Sequence, residues 1–217
     1  TPVVLLADAA IAKLKERASL HPVPEAERAM RPLPTCPPDE YRPFAVDPEE
    51  RVITPLAPFG GDYVYRITGS MHDDAGGQAA SPANADQVIH HLTDKIEKNR
   101  SSIVQVREYD LDDAEIAVIS FGCSARSARA AVREARRRGI AAGLLELLTL
   151  WPFPENEVRH LLAHVRAAIV PELNLGQVID TVRQLNDYQI PVLGVNRVDG
   201  LLITPAEILA RLEEVRS

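Results

Sequence analysis

Residues 116–145 read IAVISFGCSARSARAAVREARRRGIAAGLL, and this stretch decides the fold. Ile116–Phe121 is a near-continuous apolar run of strand length. Ser124–Arg138 reads as a helix, stopped by Gly139 just past its end. Ile140–Leu145 is the next strand. A run that is apolar throughout, rather than at alternate positions, is a strand buried on both faces, as in a parallel sheet with helices on either side.

The same pattern continues downstream. Glu155–Val165 reads as a helix launched from Pro152 and Pro154, Ala167–Val170 as a strand, Leu175–Asn186 as a helix and Val192–Val195 as a strand. The last helix opens on Thr204-Pro205-Ala206-Glu207, a capping box with proline at the first helical position. Just upstream, Ile103–Tyr109 reads as a strand, and Ala85–Asn99 as a helix with Val88, Leu92 and Ile96 on one face. Further upstream the pattern breaks. Prolines crowd the segment from His21 to about Gly61, among them Pro22, Pro24, Pro32, Pro34, Pro37 and Pro38. Proline removes donors and fixes φ, so this arm forms no long helix or central strand and is expected to run extended over a surface. Gly69–Asn84 is a second loop. The expected fold class is therefore α/β, a mostly parallel sheet with helices on both faces, preceded by a proline-rich extended arm.

With 24 basic against 31 acidic residues, the net charge is −7, which argues against a general nucleic-acid or anionic-membrane role. No apolar run approaches the ~20 residues that span a bilayer, and nothing reads as a signal peptide, so the expected location is cytoplasmic. Only Cys36 and Cys123 are present, whereas an iron–sulfur cluster usually takes four cysteines. The chain begins without methionine, inside what reads as the buried strand Val3–Leu6, as one piece of a longer subunit or a cut end does.

Several positions invite chemistry. The loop Gly122-Cys123-Ser124-Ala125-Arg126 joins a buried strand to a helix N-terminus, where free N–H groups suit an anion. Ser124 as a plain cap and Gly122 as a tight turn is the competing reading. Arg126, Arg129, Arg133 and Arg137 form a basic stripe, read either as a solvated face or as a dock for an acidic partner. His160 and His164 share a helix face, but no third ligand is evident, and no metal site is expected.

Taken in order, several segments resemble the α subunit of 2-oxoacid:ferredoxin oxidoreductases, particularly the 2-oxoglutarate type. They are Ser120-Phe-Gly-Cys-Ser-Ala-Arg-Ser-Ala128, Thr149-Leu-Trp-Pro-Phe-Pro154, Pro171-Glu-Leu-Asn-Leu-Gly-Gln177, Val198-Asp-Gly200 and Pro205-Ala-Glu-Ile208. Upstream, Tyr65-Arg-Ile-Thr-Gly69, then His72-Asp-Asp74 and Gly76, resembles the family's Thr-Gly and His-Asp signature. Val3–Asp8 resembles the last strand of the family's preceding pyrimidine-binding domain.

The resemblance implies three parts: residues 1–20 as the end of a truncated pyrimidine-binding-type domain, 21–102 as arm, loop and linking helix, and 103–217 as a transketolase C-terminal-like domain. It implies oxidative decarboxylation of a 2-oxoacid to an acyl-CoA, with electrons passed to ferredoxin or a similar acceptor. Thiamine diphosphate, Mg and iron–sulfur clusters are then expected on partner chains, with none bound by this chain alone. The implied partners are a thiamine-binding β subunit and the remaining α/γ portion of the enzyme. Leu56, Thr68, Gly69, His72 and Asp73 become substrate-adjacent positions, and no catalytic residue is assigned. Where Leu56 stands relatives usually carry an arginine that looks like a substrate-carboxylate contact, and leucine offers no such fork. A non-catalytic interaction or regulatory module with the same fold is the alternative.

Overall fold

The computed structural model describes residues 9–15, 32–45 and 54–216, together with the isolated positions 17, 19, 22 and 24. The expected strand at Val3–Leu6 lies outside these residues. Clustering of contacts separates two compact units, one of the described residues up to Lys15 and from Ser101 onward, the other of those between Arg17 and Arg100.

Among its described residues the larger unit holds five strands: β1 Val106–Tyr109, β2 Ile116–Phe121, β3 Ala142–Leu147, β4 Ala167–Glu172 and β5 Val192–Asn196. Their order is β1-β3-β2-β4-β5. β2, β3, β4 and β5 run parallel, and only the edge strand β1 is antiparallel, paired with β3 from Val106↔Leu147 to Tyr109↔Leu144. The helices of the chain are α1 Ala9–Lys13, α2 Pro82–Glu97, α3 Arg100–Ile103, α4 Gly122–Arg137, α5 Glu155–Leu162, α6 Gln177–Gln184 and α7 Pro205–Glu214.

Alternate residues of each central strand feed opposite faces of the sheet. Ile116, Val118, Leu144 and Ile169 pack with Ala128, Val132 and Ala135 of α4 and Ile208 and Leu212 of α7. Ala117, Ile119, Leu145 and Val170 pack with Val158 and Leu162 of α5 and Ile179 and Val182 of α6. The two clusters explain why these strands are apolar throughout, and each fully buried Ile, Leu or Val contributes roughly 1.5–3 kcal/mol. The mostly parallel sheet with helices on both faces is the architecture expected from the sequence.

Boundaries differ in informative ways. The expected strand Ile103–Tyr109 begins as a short turn of helix, α3, and is a strand only from Val106, since β1 needs β3 as partner and pairs with it only there. β3 starts at Ala142 rather than Ile140, whose N–H bonds the Ala135 carbonyl and so completes the exit from α4. The capping box at Thr204 forms as read: the Glu207 N–H donates to Thr204 Oγ1 at 3.3 Å, and the Thr204 N–H donates to Glu207 Oε2 at 2.7 Å.

Among its described residues the smaller unit has one long helix, α2, capped by Ser81. The other described residues are irregular chain held by tyrosines. Tyr41, 6% exposed, donates from its hydroxyl to the Pro55 carbonyl at 3.0 Å and accepts from the Ala57 N–H at 3.0 Å. Tyr65 donates to the Ala57 carbonyl at 2.7 Å and Tyr63 to the Cys36 carbonyl at 2.8 Å. Both rings meet Tyr41 edge-on, with centroids 5.2 and 5.6 Å away. Where proline denies the backbone a ladder, phenolic hydroxyls satisfy its carbonyls instead.

Candidate functional site

The expected residues divide between the two units. In the larger one, β2 leads through α4 to β3 on one side, whereas β4 and β5 add on the other side of β2. The carboxyl ends of β2 and β4 therefore bound the point where the winding reverses, the usual place for a ligand crevice in such sheets. The expected loop Gly122–Arg126 starts there. Gly122 takes φ +55°, a value that glycine adopts without strain, and α4 begins with no side-chain cap. Cys123 and Ser124 are buried at 8% and 5% exposure, while Gly122 and Arg126 face outward. The start of α4 thus presents Arg126 rather than the Cys123 thiol on the surface.

Two residues of this crevice escaped the sequence reading. Pro171 has no N–H to give its neighbours, and the β2–β4 ladder ends at Val118↔Ile169. Ser120 Oγ donates to the Pro171 carbonyl at 2.8 Å and keeps the strands joined. Glu172, with 0% exposure, accepts from the N–H groups of Val178 at 2.8 Å and Ile179 at 3.0 Å. Asn174 Oδ1 takes those of Gly176 and Gln177 at 2.8 and 2.9 Å. The N-terminus of α6 is thereby satisfied from within the chain, so it offers no anion site. The signal was present in the sequence, a glutamate closing an apolar strand a few residues before a helix.

The same edge of the sheet carries exposed apolar side chains. Leu148, Leu150 and Trp151 follow β3, with Trp151 72% exposed, and Leu175 follows β4 at 83%. They lie in Thr149–Pro154 and Pro171–Gln177 or directly beside them. The basic stripe of α4 is largely engaged locally. Of its members, Arg137 pairs with Glu134 at 3.2 Å and Arg129 lies over the Tyr109 ring at 4.3 Å; elsewhere on the helix Arg136 pairs with Asp113 at 2.6 Å and Arg138 with Glu134 and Glu213 at 3.0 and 2.8 Å. Its guanidinium pairs hold the carboxyls of Asp113 and Glu134 below the usual range, while hydrogen bonds to those carboxylates raise Arg136 and Arg138.

In the smaller unit the structure links the arm to the Thr-Gly and His-Asp loops through Tyr41–Ala45. Tyr41 bonds the residues on either side of Leu56, whose own N–H donates to the Pro32 carbonyl at 3.3 Å. The Phe44 ring meets the His72 ring at 4.0 Å, and the Phe44 N–H donates to the Asp74 carbonyl at 3.0 Å. His72 donates from Nδ1 to the Ser70 carbonyl at 3.0 Å. Thr68 Oγ1 accepts from the Ser70 N–H at 3.2 Å, holding the bend at exposed Gly69. Asp73 is committed to its own turn, with Oδ1 accepting from the N–H groups of Ala75 at 3.1 Å and Gly77 at 2.7 Å. A pocket of about 280 Å³ opens against the same segment, lined by Cys36, Glu40, Tyr41, Arg42, Thr54 and Pro55 among others. Leu56 is not part of its lining.

Among the described residues, no group of three His, Cys, Asp or Glu side chains is placed to hold a metal ion. The His160 and His164 rings meet at a tilt of 46° with centroids 4.5 Å apart, and His164 Nδ1 bonds the His160 carbonyl at 2.7 Å. No helix among the described residues is long and apolar enough to cross a membrane.

Residues 114–208 match the family model for the pyruvate:ferredoxin oxidoreductase core domain II. The chain is 34% identical over 212 residues to the 2-oxoglutarate synthase subunit KorA of Methanothermobacter marburgensis, covering 97% of this chain and 56% of the relative. It is 37% identical over 125 residues to the ketoisovalerate oxidoreductase subunit VorB of Methanothermobacter thermautotrophicus, covering 58% of this chain and 35% of that one. In structure it resembles the 2-oxoglutarate:ferredoxin oxidoreductase from Magnetococcus marinus with a TM-score of 0.75 at 22% identity, over 86% of this chain and 32% of that one. The chain spans about half the length of the KorA relatives it matches.

Proposed function

This chain is a relative of the 2-oxoacid:ferredoxin oxidoreductases over nearly its whole length, and on that premise we propose that it is the C-terminal portion of an α-type subunit of such an enzyme. The assembly would oxidatively decarboxylate a 2-oxoacid to an acyl-CoA and pass electrons to ferredoxin or a similar acceptor. The observation that carries this reading is the 34% identity over 97% of the chain, which runs through the irregular tyrosine-held arm as well as the α/β unit.

Residues 103–217 act as the transketolase C-terminal-like module, 21–102 as the linking arm, and 1–20 as the end of a preceding domain. Leu56, Thr68, Gly69, His72 and Asp73 border the substrate. Asp73 does so by shaping the loop, and the Nδ1 bond to Ser70 fixes the His72 ring. Gly122, Cys123, Ser124 and Arg126 form the loop turned towards a neighbouring portion, beside the exposed Trp151 and Leu175 that such a neighbour covers.

The family implies thiamine diphosphate, Mg and iron–sulfur clusters in the complex, and the cysteines and the described metal-ligating side chains do not fit a cluster or a metal. Two free cysteines, one buried and one half-buried, fall in different units, and no metal-ligand trio occurs among the described residues. We assign those groups to partner chains, a thiamine-binding β subunit and the remaining α/γ portion. We place the assembly in the cytoplasm, where free thiols persist. Isolating the tagged chain anaerobically from its native cells and identifying its companions by mass spectrometry tests the reading. A thiamine-binding chain in fixed ratio is expected, and a chain that purifies alone or only with copies of itself overturns it.

A further inference from the structure

We propose that Arg129 and Arg133 of α4, with Arg107 of β1 beside them, form a docking surface for an acidic helix of a partner protein. The proposal goes beyond the reading above and holds whatever the assembly oxidises. Five arginines of the larger unit are each paired inside the chain: Arg136 with Asp113, Arg137 with Glu134, Arg166 with Glu115, Arg183 with Asp180 and Arg197 with Glu207, all at 3.4 Å or less. Arg129 and Arg133 are exposed and form no ion pair among the described residues. Arg107 reaches Glu146 only at 4.0 Å. Unpaired guanidinium groups thus gather on one face of a chain whose net charge is −7.

The local structure holds these groups in place. Arg129 lies over the Tyr109 ring, with Cζ 4.3 Å from its centroid, and the Tyr109 hydroxyl donates to Glu146 Oε2 at 3.1 Å, which fixes the ring. A stacked guanidinium keeps its N–H groups, which lie in its own plane, for oxygen acceptors at its edge. Arg107 and Tyr109 are two apart on β1 and so share the face turned to α4. Arg133 stands four residues beyond Arg129, about 6 Å along the axis at ~1.5 Å per residue. Ala130, also exposed, keeps the helix surface between them low. Two cations at this spacing match two carboxylates four residues apart on another helix, and each arginine can take its carboxylate through two parallel N–H groups. Spread along an open helix face, they suit a row of carboxylates better than one compact anion. Pairs of this kind stay partly in water, so they speed and select association more than they tighten it.

The test uses the full chain and a dye-labelled helical peptide with glutamates every four residues, followed by fluorescence anisotropy at about 20 and about 300 mM salt. The peptide is expected to bind at low salt and to be released at high salt. Arg129→Gln combined with Arg133→Gln should weaken binding by about tenfold or more, whereas Arg183→Gln, which removes a paired arginine on α6, should leave it unchanged. No binding at low salt, binding that survives the double replacement, or an equal loss with Arg183→Gln overturns the proposal. A single-stranded DNA of the same charge bound as tightly as the peptide also overturns it, in favour of a general anion surface. In the isolated assembly, Arg133→Lys supplies an amine for carbodiimide cross-linking. Cross-links from that amine to carboxylates of a different companion chain are expected, and cross-links confined to this chain or to copies of it refute the docking face. A chain that purifies without companions refutes the enzyme reading, and the peptide titration then decides the docking face by itself.

Discussion

Glu172 closes β4 with a carboxylate that has no exposed surface and accepts two N–H groups at the start of α6. Glu172→Ala leaves both donors buried and unsatisfied. The expected loss is about 3 kcal/mol in urea unfolding, and a change under about 0.5 kcal/mol would show that α6 re-caps itself. Thr204 is the opposite case, a role legible in sequence because a capping box is local in the chain. Thr204→Ala should cost about 1 kcal/mol. Glu207 is held below the usual carboxylate range first by the Thr204 hydroxyl and then by the Thr204 N–H. Its folded pKa is depressed, so its contribution is present above the ordinary glutamate pKa and fades as pH falls through the folded value. Acid titration of Glu207→Gln against wild type should show the two stabilities converging below about pH 4. The role of Glu172 went unread because it stands six and seven positions before its donors, outside the spacing of a capping box.

Among elements, the α/β alternation was legible because continuous apolar strands and stop signals such as Gly139 are properties of short windows. The strand order and the antiparallel β1 were not, since pairing partners lie far apart in sequence. The arm was read as extended over a surface, and its described residues are indeed irregular. Its fastening by Tyr41, Tyr63 and Tyr65 was missed, because hydroxyl-to-carbonyl bonds across up to 27 positions leave no periodic trace. In the loop that follows, Gly76 has φ +83°, and a Cβ there would stand 2.1 Å from the Arg66 carbonyl oxygen. Gly76→Ala therefore forces the Asp73–Gly77 turn apart. Hydrogen exchange at the Gly77 and Ala75 amides should rise by about tenfold or more, while the amides of β2 stay protected. Unchanged exchange at Gly77 would mean that the turn tolerates the clash by moving Arg66.

At the scale of the whole molecule, the resemblance stated on motifs and the 34% identity over 97% of the chain point to the same relatives. The substrate-adjacent and loop residues were legible only through that resemblance, because none forms a nucleophile–base pair or a metal set that spacing alone reveals. Two cysteines, where a cluster usually takes four, predict that the purified chain shows no iron–sulfur absorption, and a stoichiometric cluster would contradict this. The most direct test of the central claim is CoA-dependent electron transfer to ferredoxin by the assembly isolated through this chain, measured with a panel of 2-oxoacids. The account predicts reduction that requires both a 2-oxoacid and CoA and disappears when this chain is depleted. An assembly containing the chain that reduces no acceptor with any 2-oxoacid, or that works equally well without the chain, would contradict it.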